Sequence, residues 1–212
     1  LVCRDLSCHH PHWRRERLHL LLGGADRPQS PSGGLSYVVR LTGAPSEQAS
    51  VTLTFRFPAT PQVCVDMSGA GRFVRGVQQV FSDGRTAPMA GEGECWRLVD
   101  KTTSPVQVRY QYDLAAAADA FDNADYVQKH GPAVTFSDEA VLLRPDPLPL
   151  PDAPSLPAPP IDVEFQLPAG MQLTAPWKKL PGPGIRYQLD TEQYDGGSYV
   201  TFGSFRSLGT LK

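Results

Sequence analysis

From Ser36 onward the chain keeps returning to one pattern, apolar and polar residues in strict alternation, which places successive side chains on opposite faces of a strand. Val51, Leu53, Phe55 and Phe57 alternate with Thr52, Thr54 and Arg56 until Pro58 and Ala59 end the run. Val106, Val108, Tyr110 and Tyr112 do so against Gln107, Arg109, Gln111 and Asp113, and Ile161, Val163, Phe165 and Leu167 against Asp162, Glu164 and Gln166. A fourth copy is Ile185, Tyr187 and Leu189 against Arg186, Gln188 and Asp190. Shorter strand candidates lie at 37–41, 73–81, 95–99 and 199–205.

A strand with one dry and one wet face belongs to an antiparallel sheet, because strands buried on both faces read as continuous apolar runs. Two such sheets cover each other's dry faces, so the pattern predicts an all-β, antiparallel two-layer β-sandwich with at most one or two short helices. The one good helical stretch is Leu114 to Phe121, through the alanines at 115–118, and it reads as a short connector. The 19 glycines and 21 prolines, with proline at roughly twice its usual share, exclude a helical bundle.

Residues 1–35 differ from the rest, crowding histidines and arginines before the loop string Arg27-Pro28-Gln29-Ser30-Pro31-Ser32-Gly33-Gly34, and they are expected to form a disordered leader. Pro145 to Pro160 holds eight prolines in sixteen residues and reads as a polyproline-like spacer unable to join a central strand. It divides a composite sandwich, 36–206, into a main part, 36–144, and a smaller part, 161–206. The smaller part has too few strands to fold alone and is expected to complete the same sheets. Residues 207–212 read as a tail or the start of a downstream domain missing here.

A formal charge of −2 offers no basic excess for nucleic-acid binding. No stretch approaches the ~18 apolar residues of a membrane span. Arg14, Arg15 and Arg17 ahead of Leu18, Leu20, Leu21 and Leu22 outline only a weak export signal, interrupted by His19, so cytoplasmic and periplasmic addresses both stay open.

Residues arranged for chemistry are few. Cys3, Cys8, His9, His10 and His12 are metal-capable, but they lie within one decapeptide-long stretch beside loop sequence, which suits a solvated tail better than a zinc site. Cys64 and Cys95, both in strand candidates, are buried free thiols or one structural disulfide, according to compartment. Asp119, Asp122 and Asp125 are three apart, where a calcium loop spaces its ligands by two. Gly196-Gly197-Ser198-Tyr199 lacks the second glycine of a nucleophile elbow, His130 sits in a turn with Gly131 and Pro132, and H-E-x-x-H and phosphate-loop motifs do not occur. No catalytic, metal or cofactor residue is therefore assigned. The candidate ligand or interface aromatics are Trp177, Tyr194 and Tyr199, which would stack on a sugar ring if they stand exposed.

The order of segments carries a resemblance. Phe57-Pro58-Ala59-Thr60-Pro61, Phe73-Val74-Arg75-Gly76-Val77, Cys95-Trp96-Arg97-Leu98, Leu167-Pro168-Ala169-Gly170, Tyr187-Gln188-Leu189-Asp190 and the closing stretch from Tyr199 to Phe205 together resemble the N-terminal β-sandwich domain of the M61, glycyl-aminopeptidase-like, metallopeptidases, itself distantly similar to that of the M1 aminopeptidases. The resemblance implies a noncatalytic module that scaffolds or borders the cleft of a zinc aminopeptidase domain, downstream or separate, and the zinc would belong to that domain. Where such domains often carry a tryptophan, proline and glycine cluster after Pro61, this chain has Val63-Cys64-Val65-Asp66, so no functional residue is carried over. The reading from a different class is a stand-alone β-sandwich that binds a glycan or a protein.

Overall fold

The computed structural model describes residues 34–43, 47–56, 60–120, 126–146 and 160–205. In chain order the strands are β1 (Leu35–Leu41), β2 (Gln48–Phe55), β3 (Gln62–Cys64), β4 (Val74–Val80), β5 (Thr86–Pro88), β6 (Ala90–Glu92), β7 (Cys95–Arg97) and β8 (Val106–Asp113). They continue with β9 (Val127–His130), β10 (Ala133–Ser137), β11 (Arg144–Asp146), β12 (Ile161–Gln166), β13 (Gln172–Thr174), β14 (Lys178–Lys179), β15 (Ile185–Leu189) and β16 (Tyr199–Gly203). Three short helices interrupt them: α1 (Leu114–Ala120), α2 (Asp138–Val141) and α3 (Thr191–Asp195). All described residues belong to one unit, Pro31–Lys212; a second unit, Leu1–Ser30, lies outside them, as do residues 1–33 of the expected leader and the tail at 207–212. Leu35, placed in the leader by the sequence, is instead buried and opens β1.

The fold is all-β and sandwich-like. One large sheet runs β14-β15-β12-β1-β2-β8-β4-β5, and two smaller ones run β13-β16-β10-β9 and β11-β3-β7-β6. The four alternating runs of the sequence are β2, β8, β12 and β15, and register aligns their dry faces in continuous rows. Leu189, Ile161, Leu35, Phe55 and Val106 form one row; Tyr187, Val163, Tyr37, Leu53 and Val108 form the next. Ile185, Phe165, Val39, Val51 and Tyr110 form the third. Nearly all of these side chains are buried, which fixes register: a one-residue slip would turn every row outward.

The pairing of β1 with β12 is parallel, unlike the others in the large sheet. Alternation reports which face is dry but not the direction of the neighbouring chain, so the sequence could not distinguish this arrangement from a wholly antiparallel one. At the opposite end of the sheet, register shifts between Arg75 and Gln78 where β4 meets β8. Gly76 stands there at φ 60°, the backbone conformation such a bulge favours.

One polar side chain, Gln79, enters the buried rows. Its Oε1 accepts from the backbone N–H groups of Val99 and Asp100, each at 2.9 Å, and its Nε2 donates to the Asp100 carbonyl at 2.7 Å. A satisfied amide of this kind ties the loop before β8 to the sheet.

Against the inner face of the large sheet lies the segment from α2 into β11. Tyr110 Oη donates to the Val141 carbonyl at 3.0 Å and accepts from the Leu143 N–H at 2.9 Å, while Tyr37 Oη donates to the Leu143 carbonyl at 2.8 Å. Phe136 of β10 meets Phe202 of β16 edge-on, with ring centroids 6.3 Å apart.

Two sequence expectations need correction. Pro145 is not spacer: it pairs with Val63 inside β11, an edge strand, where a missing N–H costs least. Residues 147–159, the rest of the proline-rich stretch, lie outside the described residues. There is also one more short helix than the sequence predicts, because α2 and α3 are single turns of four and five residues, too short to show a helical period. No helix among the described residues is long and apolar enough to cross a membrane.

Candidate functional site

Three short strands of the sheet β11-β3-β7-β6 display their side chains on one face in register. Arg144 stands opposite Cys64 and Cys64 opposite Cys95; one step along, Asp146 stands opposite Gln62 and Gln62 opposite Arg97. With Asp66, Pro145 and Asp195, the residues Cys64, Cys95, Arg144 and Asp146 line a pocket of about 360 Å3, at the small end for a ligand site. Cys64 and Cys95 form a disulfide, which resolves the two alternatives left by the sequence in favour of the bond.

Beneath the pocket lies a buried polar cluster. The Arg144 side chain is only 7% exposed, its Nη1 donates to Asp66 Oδ2, and its guanidinium lies 4.0 Å from the centre of the Tyr194 ring. Tyr194 Oη and Tyr37 Oη share a hydrogen bond of 2.5 Å. Burial pushes both phenols well above the usual tyrosine range, so they remain neutral donors at any physiological pH.

Asp138, fully buried at the start of α2, accepts at Oδ1 from the N–H groups of Ser198 at 2.6 Å and Glu139 at 3.1 Å. Its Oδ2 lies 4.0 Å from Arg144 Nη2, and neither atom makes a hydrogen bond. Burial pushes the Asp138 carboxyl up to about 6, against the opposing pull of the Ser198 N–H and the Arg144 charge. Native protein thus holds this proton more tightly than unfolded chain does. The contribution of Asp138 to stability is full below about pH 4 and is lost as pH rises through about 6, a change of roughly 3 kcal/mol. Asp138→Asn is expected to flatten that part of the profile, as urea melts of both proteins from pH 4 to 8 would show; parallel profiles would contradict it.

The structure separates the three aromatics singled out from sequence. Trp177 is 4% exposed, stacked on Phe165 and edge-on to Tyr187. Tyr194 is wholly buried in the arginine cluster. Only Tyr199, 53% exposed at the start of β16, presents its ring to solvent. Cys3, Cys8, His9, His10 and His12 lie outside the described residues. His130, the one histidine among the described residues, is exposed on β9 and contacts Gln128 Oε1 at 2.6 Å.

Arg144, Asp66 and Asp138 escaped the sequence reading. The available signal was a charge placed directly after the apolar run Ala140-Val141-Leu142-Leu143, where a side chain buried in an ion pair is a natural outcome. Removing the disulfide by Cys64→Ala with Cys95→Ala should cost about 4 kcal/mol, because the bond closes a loop 31 residues apart in sequence. Urea unfolding of the two proteins measures it, and equal midpoints would show the bond to be inert.

By sequence the chain matches no family model and no curated protein. Among solved structures it is similar to an aminopeptidase N family protein from Idiomarina loihiensis, with 15% identity and a TM-score of 0.56 over 82% of this chain and 31% of that one. It is also similar to an M1 zinc metallopeptidase from Deinococcus radiodurans, with 16% identity and a TM-score of 0.42 over 80% of this chain and 40% of that one. The first likeness is one of fold. The chain spans about a third of the length of that protein.

Proposed function

We propose that this chain is a noncatalytic β-sandwich module of a zinc-aminopeptidase-type protein, one that packs against a zinc-bearing peptidase domain and borders its cleft. The observation that carries the reading is the fold shared with part of an aminopeptidase N family protein across 82% of this chain. The finer assignment, to the M61 rather than the M1 branch, rests on the ordered segments from Phe57 to Phe205 described above. The burial of Arg144 with Asp138, Tyr37 and Tyr194 suits such a module, since these side chains hold α2, β11 and α3 on the large sheet.

The test is an activity assay on native material captured with an antibody to this chain, run beside the purified 212-residue chain. The native product should release N-terminal residues from aminoacyl anilides and stop when zinc is chelated, while the chain alone should be inactive. Chelator-resistant hydrolysis by the chain alone would overturn the proposal.

A further inference from the structure

Beyond any role beside a peptidase, the pocket face gathers three groups that can serve as metal ligands once the Cys64–Cys95 disulfide is reduced. One Sγ each from Cys64 and Cys95 and one carboxylate oxygen of Asp146 all lie within 4.8 Å of one another. Cys64 Sγ is 3.8 Å from Asp146 Oδ2. Tetrahedral zinc, with Zn–S about 2.3 Å and Zn–O about 2.0–2.2 Å, sets its sulfur and oxygen ligands about 3.6 Å apart.

The strand register builds this arrangement. Cys64 and Cys95 are a directly opposed cross-strand pair, and Asp146 stands on the adjoining edge strand, opposite Gln62 and one step along the same face. Gln62 Nε2 donates to Asp146 Oδ2 at 2.7 Å, an outer contact of the kind that orients a ligating carboxylate. All three groups open onto the pocket, so a fourth position is accessible to water. The lining carries three carboxylates, Asp66, Asp146 and Asp195, against the single guanidinium of Arg144, a surplus that favours a cation.

We propose that Cys64, Cys95 and Asp146 form a zinc site gated by thiol–disulfide exchange, closed while the two cysteines are bonded and able to take one Zn2+, with water as fourth ligand, once the bond is reduced. The reductant is a dithiol. It delivers two electrons and two protons to the Cys64–Cys95 bond and leaves as its own disulfide, giving two thiols. Zinc then binds both sulfurs as thiolates, and their two protons pass to solvent. Rotation about the cysteine side chains brings the freed sulfurs to the separation of about 3.8 Å that tetrahedral coordination requires. The strands remain anchored meanwhile by Arg144 with Asp66 and by the Leu143 contacts to Tyr37 and Tyr110.

The experiment uses the full chain carrying Cys3→Ser and Cys8→Ser, so that Cys64 and Cys95 are its only thiols. Co2+ is the probe, because sulfur-to-cobalt charge-transfer absorption reports thiolate ligands and is blind to His9, His10 and His12. Dithiothreitol-reduced, anaerobic chain should bind one Co2+ with that band, lose it to one equivalent of Zn2+, and keep its near-ultraviolet circular dichroism. Oxidised chain should show no band. Loss of an outer contact alone weakens metal sites by about 10–100-fold, so Asp146→Asn should weaken Zn2+ binding at least about tenfold. The proposal is overturned if the reduced chain unfolds, if it stays folded without the band, or if Asp146→Asn binds Zn2+ as tightly as its parent.

Discussion

Trp177→Ala should destabilise the domain by about 3–5 kcal/mol, the range for deleting a large aromatic from a packed core. The indole is 4% exposed, lies nearly parallel to Phe165 at 6.0 Å between centroids, and meets Tyr187 edge-on at 6.1 Å. Phe165 in turn shares a row with Val39, Val51 and Tyr110, so the cavity would open at the edge of the main core. A ring displayed for sugar stacking would behave differently, since surface substitutions usually fall within about 0.5 kcal/mol of neutral. Urea unfolding decides between these outcomes, and a shift of that small size would return Trp177 to the surface and revive the glycan-binding reading.

Arg144→Met should cost about as much, roughly 3–5 kcal/mol at pH 8, because it leaves the carboxylate of Asp138 buried without its one nearby cation. It also removes the guanidinium from the Tyr194 ring and from Asp66. The loss should shrink near pH 5. Burial already pushes the Asp138 carboxyl up to about 6, and without Arg144 it would hold its proton over a wider range, so the acid form needs no partner. Asp138→Asn in the Arg144→Met background should recover much of the pH 8 loss, since the two effects share one contact. Equal losses at both pH values, with no recovery in the double variant, would mean that the pair is not coupled.

The long strands were legible because each buries one face along its whole length: β2, β8, β12 and β15 show it over five to eight residues. The strands β3, β6, β7 and β11 have three residues each, too few for an alternation to stand out, and together they make the sheet that carries the pocket. Hence the site was less readable than the scaffold. Its chemistry depends on partners distant in sequence, such as Asp66 with Arg144 at a separation of 78 and Tyr37 with Tyr194 at 157, which no local pattern encodes. Cys64 and Cys95 could be named but not joined, because their spacing suits two free thiols as well as a bond. Trp177 was undecided in the same way: Pro176 before it and Lys178 and Lys179 after it leave its exposure open, and the contact that buries its ring is with Phe165, beyond the reach of local pattern.

The proposed module role meets its most direct test in the native gene and its product, by reading the frame downstream of the Lys212 codon and sizing the product by immunoblot in its own cell. A frame that continues into H-E-x-x-H, with a product far larger than 23.1 kDa, is the predicted result. A stop codon at that point, a product near 23.1 kDa and no peptidase bound to it would contradict the account and leave a stand-alone binding module in its place.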